Sequence, residues 1–364
     1  MSKKRVLVAM SGGVDSSVAL AKILDMGYEA IGITMKLWDN NKFEGSQFQE
    51  STCCGIEEIT GAKLVCNHYG VPHYTMDFSD SFIEEVVENF VDEYIAGRTP
   101  NPCVRCNSFV KWDAFLQKAD ELGADFIATG HYAQIFQENG EYNLHKGVDD
   151  KKDQSYVLWG IPQITLARTI LPLGNMTKPE VRAYAKEHNL ATATVPESME
   201  ICFVADNDYK KFLNKYAPEK MEKIGPGNIL QDGEKIGKHE GYTQYTIGQR
   251  KGIGVTFPEP RYVKAIDAKS NTITISKKEG LFSDGCIVGS LNWLIDKSDI
   301  PENVNVKIRY NSPIVDGKIN LDKDEIYFDT PQLSVTPGQS IVFYDGEKVL
   351  GGGIIEKQLN MVAA

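Results

Sequence analysis

The sequence predicts an α/β fold in which an N-terminal doubly wound parallel sheet is followed by a small, mainly β central domain and a C-terminal antiparallel β-barrel. The first observation is a valine-rich run, Val6 to Met10, that leads through a Gly-Gly turn into an apolar-periodic stretch. This is the pattern of a buried strand, a tight loop and a helix. The second observation is that strand-like and helix-like stretches alternate through the first half of the chain. The third is that short alternating runs and glycine-rich turns replace them after residue 205.

The remaining elements of the first half follow in the order that a parallel sheet requires. Further strands are predicted at Glu29 to Thr34, Pro72 to Met76 and Phe126 to Thr129. Helices are predicted over Val18 to Leu24, Ile56 to Tyr69, Ser79 to Gly97 and Phe109 to Gly123. Ligands of such a sheet bind outside the carboxyl ends of its strands.

The second half contains one predicted helix and many short strands. The helix spans Lys210 to Tyr216, and alternating runs are found at Tyr242 to Ile247, Val255, Tyr262 to Ile266 and Thr272 to Ile275. Farther on, the alternating residues Val304, Val306, Ile308 and Tyr310 precede two strands, Ser340 to Tyr344 and Val349 to Ile355, which flank an Asp345-Gly346 turn. We expect domains over residues 1–205, 206–280 and 281–364.

The composition is that of a globular protein with an uneven charge. The 364 residues carry a net charge of -11, which argues against general affinity for nucleic acids. Residues 206–279 hold fourteen Lys/Arg and ten Asp/Glu, a local charge of +4, so the rest of the chain carries -15. A nucleic-acid contact is therefore expected in that middle stretch and near the active site. The N-terminal apolar run ends at Ser11, too early for a signal peptide or a membrane span, so we expect a cytoplasmic protein without membrane contact.

The loop after the first strand is suited to a phosphate chain. Glycines let backbone N–H groups approach an anion, and a helix N-terminus favours negative charge. The hydroxyls of Ser11, Ser16 and Ser17 can donate as well, and Asp15 can cap the helix or help to hold Mg²⁺. The loop lacks the Gly-Lys-Ser/Thr of a Walker A motif and the G-x-G-x-x-G of a dinucleotide fold. The alternative is an ordinary Gly-Gly turn with a helix cap.

Two other strand ends can frame an adenosine bound at this loop. Met35 follows the second strand, and Gly130-His131-Tyr132 follows the fourth. For Met35 the alternative is core packing, and for His131 it is a histidine satisfied by the backbone.

Seven cysteines in a chain without an export signal predict catalytic, metal-binding or buried thiols rather than structural disulfides. Cys103 and Cys106 form a C-x-x-C between two predicted helices, and Pro100 and Pro102 are expected to stiffen the approach to it and keep that approach out of helix. Such a pair is typical of a redox site or half of a zinc site, but a second C-x-x-C with zinc spacing is absent. We expect the remaining cysteines apart from Cys202 to be buried and inert: Cys53, Cys54, Cys66 and Cys286.

The motifs together resemble a known family. SGGVDS resembles the pyrophosphate loop (PP-loop) of the ATP-pyrophosphatases, which split ATP between its α and β phosphates and adenylate an oxygen of their substrate. Over essentially its whole length the chain is similar to the tRNA-specific 2-thiouridylase family. The matching stretches are AMSGGVDSSVA, GITMKLW, GRTPNPCVRCN, ATGHYA, KDQSYVL, ICFV, GYTQYTIGQRKGIG, KIRYNS and TPGQSIVFYDGE.

The resemblance implies an ATP- and Mg²⁺-dependent exchange of oxygen for sulfur at C2 of the wobble uridine of tRNA. Cys106 is implied as the nucleophile and Cys202 as the carrier of a persulfide sulfur received from a sulfur-relay protein, with a Cys106–Cys202 disulfide as by-product. The residues implied in ATP binding are Ala9, Met10, Ser11, Gly12, Gly13, Val14, Asp15, Ser16, Met35 and Gly130. Those implied in binding the target uridine or tRNA are Asn101, Pro102, Cys103, His131, Lys152, Asp153, Gln154, Arg309, Tyr310 and Gln339.

One departure leaves alternatives open. Many members of the family have aspartate where this chain has Cys103. Cys103 either replaces that aspartate or joins Cys106 and Cys202 as a ligand of an iron–sulfur cluster, one cysteine short of the usual four. The rival functions are another PP-loop synthetase that adenylates a small metabolite, and a non-catalytic RNA-binding module.

Overall fold

The computed structural model describes residues 3–38, 55–197, 201–204 and 207–360. Cys53 and Cys54, expected to be buried, lie outside the described residues. The strands are β1 (Arg5–Ala9), β2 (Glu29–Lys36), β3 (His73–Asp77), β4 (Phe126–Ala128), β5 (Ala133–Glu138), β6 (Glu141–Lys146), β7 (Thr169–Ile170), β8 (Gly227–Gln231), β9 (Glu234–His239), β10 (Tyr262–Asp267), β11 (Thr272–Ser276), β12 (Phe282–Trp293), β13 (Asn303–Lys307), β14 (Val315–Asn320), β15 (Glu325–Leu333), β16 (Ser340–Asp345) and β17 (Lys348–Leu359).

The α-helices are α1 (Val14–Asp25), α2 (Ile56–His68), α3 (Ser79–Phe82), α4 (Asn89–Ile95), α5 (Pro102–Arg105), α6 (Phe115–Glu121), α7 (Lys178–Glu187), α8 (Tyr209–Tyr216) and α9 (Pro218–Ile224). Two π-helical segments join neighbouring helices, Ile83–Glu88 between α3 and α4, and Cys106–Ala114 between α5 and α6. Within the described ranges, none of the helices combines the length and the apolarity that crossing a membrane requires.

The N-terminal sheet is parallel and covered on both faces, which confirms the predicted fold class. Its strand order is β3-β2-β1-β4-β7. Side chains of β1 alternate between two buried clusters: Val6 and Val8 pack with α1, α2 and α7, and Leu7 packs on the other face with the helices from α3 to α6. Because β1 lies between β2 and β4, the chain leaves its carboxyl end at the point where the strand order reverses, the usual ligand position in such sheets.

The central region forms a separate small sheet, in the order β10-β11-β8-β9. The predicted helix at Lys210 to Tyr216 is confirmed as α8, and the two predicted strands after Arg261 are confirmed as β10 and β11. The run Tyr242 to Ile247, by contrast, is not a strand. Tyr242–Gln244 is a 3₁₀ turn, which lets Tyr242 and Tyr245, three residues apart, enter the same core.

The C-terminal strands close into the predicted antiparallel barrel. Its order is β12-β15-β14-β13-β16-β17, and pairing of β12 with β17 closes it. The core is filled from alternate positions such as Val304 and Val306 of β13 and Phe343 of β16.

The barrel is built into the N-terminal domain rather than tethered to it. The hairpin of β5 and β6, which comes from the first half of the chain, extends the barrel sheet through Lys348 opposite His145. Val342, Tyr344 and Val349 belong to the same buried cluster as the N-terminal helices. In addition, the Tyr156 hydroxyl donates to the Ser340 carbonyl oxygen at 2.8 Å.

Candidate functional site

The loop after β1 is shaped by glycine. Gly12 has φ +76°, and a Cβ there would collide with the carbonyl oxygen of Glu58. α1 starts directly after Gly13, and the hydroxyls of Ser16 and Ser17 donate to the Gly13 carbonyl oxygen at 3.1 and 2.8 Å. The first N–H groups of a helix have no acceptor within it. The loop is therefore fixed by its own serines, with the amino end of α1 directed at the edge of the sheet where an anion can bind.

Gly130, at the end of β4, lies against this helix start. A Cβ at Gly130 would come within 2.9 Å of the Asp15 carbonyl carbon and 3.0 Å of the Ser16 nitrogen. The structure therefore brings Gly130 to the loop, as its predicted role requires. Met35, in contrast, is 8% exposed and belongs to the core, and Met10 and Val14 are buried as well. The side chains of Met10, Val14 and Met35 are therefore almost inaccessible. A nucleotide would have to contact their main-chain atoms or the small exposed part of Met35.

Asp15 is bound by Tyr132, from a strand end that the sequence indicated, and by Lys178, which it did not. Both of its carboxylate oxygens accept hydrogen bonds from the Lys178 ammonium at 2.8 Å, and the Tyr132 hydroxyl donates to Oδ1 at 2.7 Å. Lys178 is the first residue of α7, which starts with a capping box between Thr177 and Glu180. The expectation that Asp15 caps α1 is wrong, because the N-cap is Gly13 and no side chain caps it.

The same contacts bear on Mg²⁺. Both oxygens of Asp15 are engaged by Lys178, and the described part of the chain contains no group of three His, Cys, Asp or Glu side chains arranged to hold a metal ion. These residues do not fit a metal site made by protein side chains alone.

Glu197 extends this ionic network toward the segment that carries Cys202. Its carboxylate accepts from Lys152 at 2.5 Å and lies 3.1 Å from the Lys178 ammonium and 3.8 Å from Arg182. Burial alone would raise the pKa of Glu197, but the hydrogen bonds from Lys152 and Lys178 outweigh it and hold this pKa below its ordinary value.

The approach to the C-x-x-C is non-helical through Asn101, as predicted, but the cysteine segment itself is helical from Pro102 onward. The Asn101 side-chain oxygen caps the segment by accepting from the Cys103 N–H at 3.2 Å, and Pro102 occupies the first turn of α5. A proline is tolerated there because that N–H has no helical partner. Cys103 is exposed, whereas Cys106, the first residue of a π-helical segment, is buried.

Cys106 and Cys202 both pack in the large buried cluster that covers one face of the N-terminal sheet. Cys106 is a member of the cluster that also holds Met35 and Leu37, and the half-buried Cys202 packs against it. The neighbouring Phe203 anchors the Cys202 segment, with ring centroids 5.6 Å from Phe82 and 5.2 Å from Phe90 in edge-to-face contacts. The structure thus brings the two predicted reactive thiols to the same side of the N-terminal domain.

Cys66 and Cys286 are buried, and Arg105 is paired with an acidic side chain. Cys66 and Cys286 are buried as predicted, and burial raises the pKa of these thiols to about 11 and about 12, which makes them inert. The guanidinium of Arg105, the residue before Cys106, donates to the Glu85 carboxylate at 2.7 Å and stacks on Phe109. Its charge is therefore largely compensated.

Several predicted tRNA contacts have their side chains engaged inside the protein. His131 is 8% exposed and bonded to Thr129 at 2.8 Å, and burial, aided by the charge of Lys111, holds its pKa well below the usual range. The Asp153 carboxylate is buried and accepts from the Gly147 and Ser155 N–H groups. The Gln154 side-chain oxygen accepts from the Tyr132 N–H at 3.0 Å, and Lys152 is paired with Glu197.

Three of the predicted tRNA contacts, Arg309, Tyr310 and Gln339, come from the C-terminal region. Tyr310 is 37% exposed. Burial of its hydroxyl raises the Tyr310 pKa, and negative charges at Asp153, Cys103 and Glu197 raise it further. Arg309 donates to the Ser334 carbonyl oxygen and to the Thr336 hydroxyl. The Gln339 amide donates to the carbonyl oxygens of Thr99 and Pro100.

Family models cover most of the chain. Residues 4–206 match the model described as a tRNA methyl transferase HUP domain, residues 210–277 a tRNA methyl transferase PRC-barrel domain, and residues 283–355 an aminomethyltransferase beta-barrel domain. A solved 4-thiouridine synthetase–RNA complex with bound ATP is also similar, but with 16% identity, coverage of 60% of this chain and 51% of that chain, and a TM-score of 0.34 this similarity supports no argument.

Full-length relatives are more specific than the names of these models. The chain is 47% identical over 367 residues to the tRNA-specific 2-thiouridylase MnmA of Carboxydothermus hydrogenoformans, covering 99% of both chains. It is 46% identical to the protein of the same name from Geotalea uraniireducens, covering 100% of this chain and 97% of that one. It is also 46% identical to that of Symbiobacterium thermophilum, covering 98% and 93%. On this similarity along the whole sequence, the chain belongs to the tRNA-specific 2-thiouridylase family.

Proposed function

We propose that this chain is a tRNA sulfurtransferase that uses ATP to replace the C2 oxygen of the wobble uridine with sulfur. The observation that supports the proposal is that Cys106 and Cys202, which are far apart in sequence, pack in the same buried cluster on one face of a sheet whose first loop is built for an anion. A synthetase acting on a small metabolite has no need of that thiol pair, and a pure RNA-binding module has no need of the loop.

The first half of the reaction makes the uridine oxygen a leaving group. The carbonyl oxygen attacks the α-phosphate of ATP, an O–P bond forms, and pyrophosphate departs. The amino end of α1, the Gly12-Gly13 turn and the Lys178 ammonium would offset the negative charge on the phosphates. Magnesium would arrive bound to the phosphates of ATP, where it would supply charge neutralisation.

The second half delivers the sulfur. A relay protein places a persulfide on Cys202, and its terminal sulfur attacks C2 either directly or after release as hydrosulfide. The C2–O bond then breaks and AMP leaves. In both routes the Cys106 thiolate attacks the Cys202 sulfur, which yields a Cys106–Cys202 disulfide that a cellular dithiol must reduce again. This dependence on reduced thiols suits the cytoplasm.

The target base must leave the anticodon stack, as bases acted on by enzymes commonly do. The exposed Cys103, next to the cap residue Asn101 and near Tyr310, marks the surface where the uridine would enter. Contacts of tRNA with His131, Lys152, Asp153, Gln154, Arg309 and Gln339 stay predictions drawn from the family. Since most of these side chains are engaged within the protein, tRNA would have to meet their remaining atoms or displace a bond.

An ATP experiment separates the candidate functions. Release of AMP from radiolabelled ATP should require both tRNA and a persulfide donor, whereas a metabolite synthetase would release AMP without tRNA, and an RNA-binding module would release none. Cys202→Ser should abolish 2-thiouridine formation while ATP still binds. Cys66→Ala, which removes a buried thiol of the N-terminal domain, is the matched control and should keep the activity. Full thiolation by Cys202→Ser would refute the role of Cys202.

The iron–sulfur alternative has its own test. Protein purified without oxygen is assayed for iron and for visible absorption. A colourless, iron-free and active enzyme would exclude a cluster held by Cys103, Cys106 and Cys202, and stoichiometric iron that is lost in Cys103→Ser would replace the persulfide scheme.

A further inference from the structure

The residues that lead into the C-x-x-C helix are held by the barrel. The Thr99 N–H donates to the Pro337 carbonyl oxygen at 2.9 Å. In return, the Gln339 amide donates to the carbonyl oxygens of Thr99 at 2.8 Å and Pro100 at 3.2 Å. Three hydrogen bonds thus join two segments that are separated by 240 residues in the sequence.

The turn between Pro337 and Gln339 touches this segment with its backbone. Gly338 has φ +90°, and a Cβ there would lie 2.8 Å from the Thr99 nitrogen and 2.9 Å from its oxygen. The Gly338 N–H donates to the Ile355 carbonyl oxygen at 2.9 Å, which fixes the turn to β17. The close approach therefore requires glycine both for space and for backbone conformation.

Neighbouring contacts hold the same segment from other sides. Arg98 pairs with Glu93 of α4 at 2.6 Å and with Glu356 of β17 at 2.5 Å. From the central domain, the Tyr242 hydroxyl donates to the Ile95 carbonyl oxygen at 2.5 Å. All three parts of the chain therefore converge on the stretch that precedes Asn101.

The barrel can act as a fixed support because it is packed into the N-terminal domain close to this turn. Ser340, the residue after Gln339, accepts from Tyr156 at 2.8 Å, and Asn292 of β12 donates to the carbonyl oxygens of Trp159 at 2.7 Å and Ile161 at 3.0 Å.

We propose that the turn Pro337 to Gln339 positions the reactive cysteine helix, and that Gln339 does so through Thr99 and Pro100, independently of any contact of its remaining side-chain oxygen with tRNA. This inference rests on the proposed function for the reaction it serves. An amide group has two N–H donors, and both bonds that Gln339 donates go to backbone carbonyls. Asn101, which caps α5, follows Pro100 directly, so a shift of Pro100 is passed on to Cys103 and Cys106. Displacement of reacting groups by about 1 Å can cost on the order of 100-fold in rate.

The first experiment compares Gln339→Ala and Gln339→Glu with wild type. Binding of unmodified tRNA is measured at fixed salt, and 2-thiouridine formation is measured in a single turnover at saturating tRNA and ATP. Because saturating tRNA removes any effect of affinity, we expect this rate to fall by roughly tenfold or more whatever the change in the tRNA Kd. The Gln339→Glu carboxylate would face two carbonyl oxygens, so this variant should be at least as slow as the alanine variant. Gln332→Ala is the matched control, because that amide donates within its own strand, to Thr330.

A raised tRNA Kd with an unchanged rate at saturation would show that Gln339 contacts RNA, and it would overturn the proposal. Wild-type-like rates in both Gln339 variants would overturn it as well. Gly338→Ala adds a variant without any side chain that could reach RNA, and it should reproduce the slow rate at an unchanged Kd. Its melting temperature shows whether the barrel remains folded.

A second measurement does not depend on the enzymatic activity. Alkylation of Cys106 by iodoacetamide is followed by mass spectrometry without ATP or tRNA. Loosening of the preceding segment should speed this reaction several-fold in Gln339→Ala but not in Gln332→Ala, because Cys106 is buried in the intact site. If the wild type made no 2-thiouridine, the proposed function would fail while this readout still tested the positioning. Equal alkylation rates in all variants would refute the positioning itself.

Discussion

Single side chains link the phosphate loop to residues far away in the sequence. Lys178, which is 163 positions from Asp15, bonds to both oxygens of that carboxylate and lies 3.1 Å from Glu197. Its side chain is only 10% exposed. The ammonium therefore balances two carboxylates beside the place where we expect the phosphates of ATP.

Replacing Lys178 by methionine should weaken both folding and ATP binding. The change leaves Asp15 and Glu197 without their shared cation, and loss of one partner of such a pair costs about 3 kcal/mol of unfolding free energy. The uncompensated carboxylates would also repel the phosphates and raise the Kd for ATP. Urea denaturation and calorimetric titration with ATP check this. Lys22→Met is the control, because its partner Asp25 is half exposed, and it should cost less than about 1 kcal/mol. Unchanged ATP affinity in Lys178→Met would contradict the assignment.

Glu197 should make the stability depend on pH. Its pKa lies below the ordinary value of 4.5, so the folded state holds the proton less readily than the unfolded state. The stabilisation is complete above pH 4.5 and is lost as the pH falls through the folded-state pKa. We therefore expect Glu197→Gln to melt below wild type at pH 7, with the difference shrinking from pH 4.5 downwards. A difference that stays constant between pH 7 and pH 3.5 would rule this out.

The helical segment that carries Cys103 and Cys106 depends on the cap residue that precedes it. Asn101 caps α5 through its side-chain oxygen, and the family resemblance assigns the same residue to uridine binding. Asn101→Ala should cost about 1 kcal/mol of unfolding free energy and also lower the thiolation rate. Asn101→Ser keeps a capping oxygen and should restore the stability. Melting curves and single-turnover thiolation separate the two roles: an Asn101→Ser variant that is stable yet slow identifies uridine binding, while recovery of both identifies capping alone.

At the level of elements, strands and helices are predicted best where their apolar residues follow a single regular spacing. The β1 run and the regular apolar positions Phe82, Val86, Phe90 and Tyr94 predicted their strand and helices, and the structure confirms them. The hairpin of β5 and β6 was missed because Gln134, Gln137 and other polar residues blur its alternation. The helical start at Pro102 was missed because a proline breaks a helix only beyond the first turn.

The site was predictable as motifs but not as a network. SGGVDS and the two cysteine segments stand out as short strings, so the loop and both thiols were found. The contacts of Lys178, Tyr132 and Glu197 with one another arise from packing between α7, the end of β4 and α1, and no local pattern encodes such distances. For Lys178, the sequence offers one signal, namely its position directly after Thr177 in a capping box with Glu180. The hydrogen bond from Gln339 to Thr99 also depends on packing between distant segments, so the sequence could not predict it.

On the scale of the whole molecule, closure of the barrel and its hairpin extension make one continuous support for the cysteine helix. A loop of the central domain that carries Arg250 and Lys251 also lies against the barrel. Gly248, in the loop that carries Arg250 and Lys251, lies so close to Ser334 of the barrel that a Cβ there would come within 2.8 Å of its hydroxyl. Ser334 is also the acceptor of Arg309. Basic residues of the central domain and of the barrel are therefore neighbours.

This shared basic face should dominate the binding of tRNA even though the chain carries a net charge of -11. Arg250 and Lys251 are exposed, and each phosphate contact that is lost lowers the slope of log Kd against log salt by about 1. We expect the double variant Arg250→Gln with Lys251→Gln to weaken tRNA binding and to reduce that slope by up to about 2. Arg261→Gln is the matched control, because its side chain is only 12% exposed and its guanidinium lies 3.4 Å from the Glu259 carboxylate. Fluorescence anisotropy across a salt series provides the slopes. An unchanged slope in the double variant, or an equal loss in Arg261→Gln, would show that tRNA binds a different face of the protein. The slope counts the phosphates that are neutralised, so it must fall when residues that contact phosphates are removed.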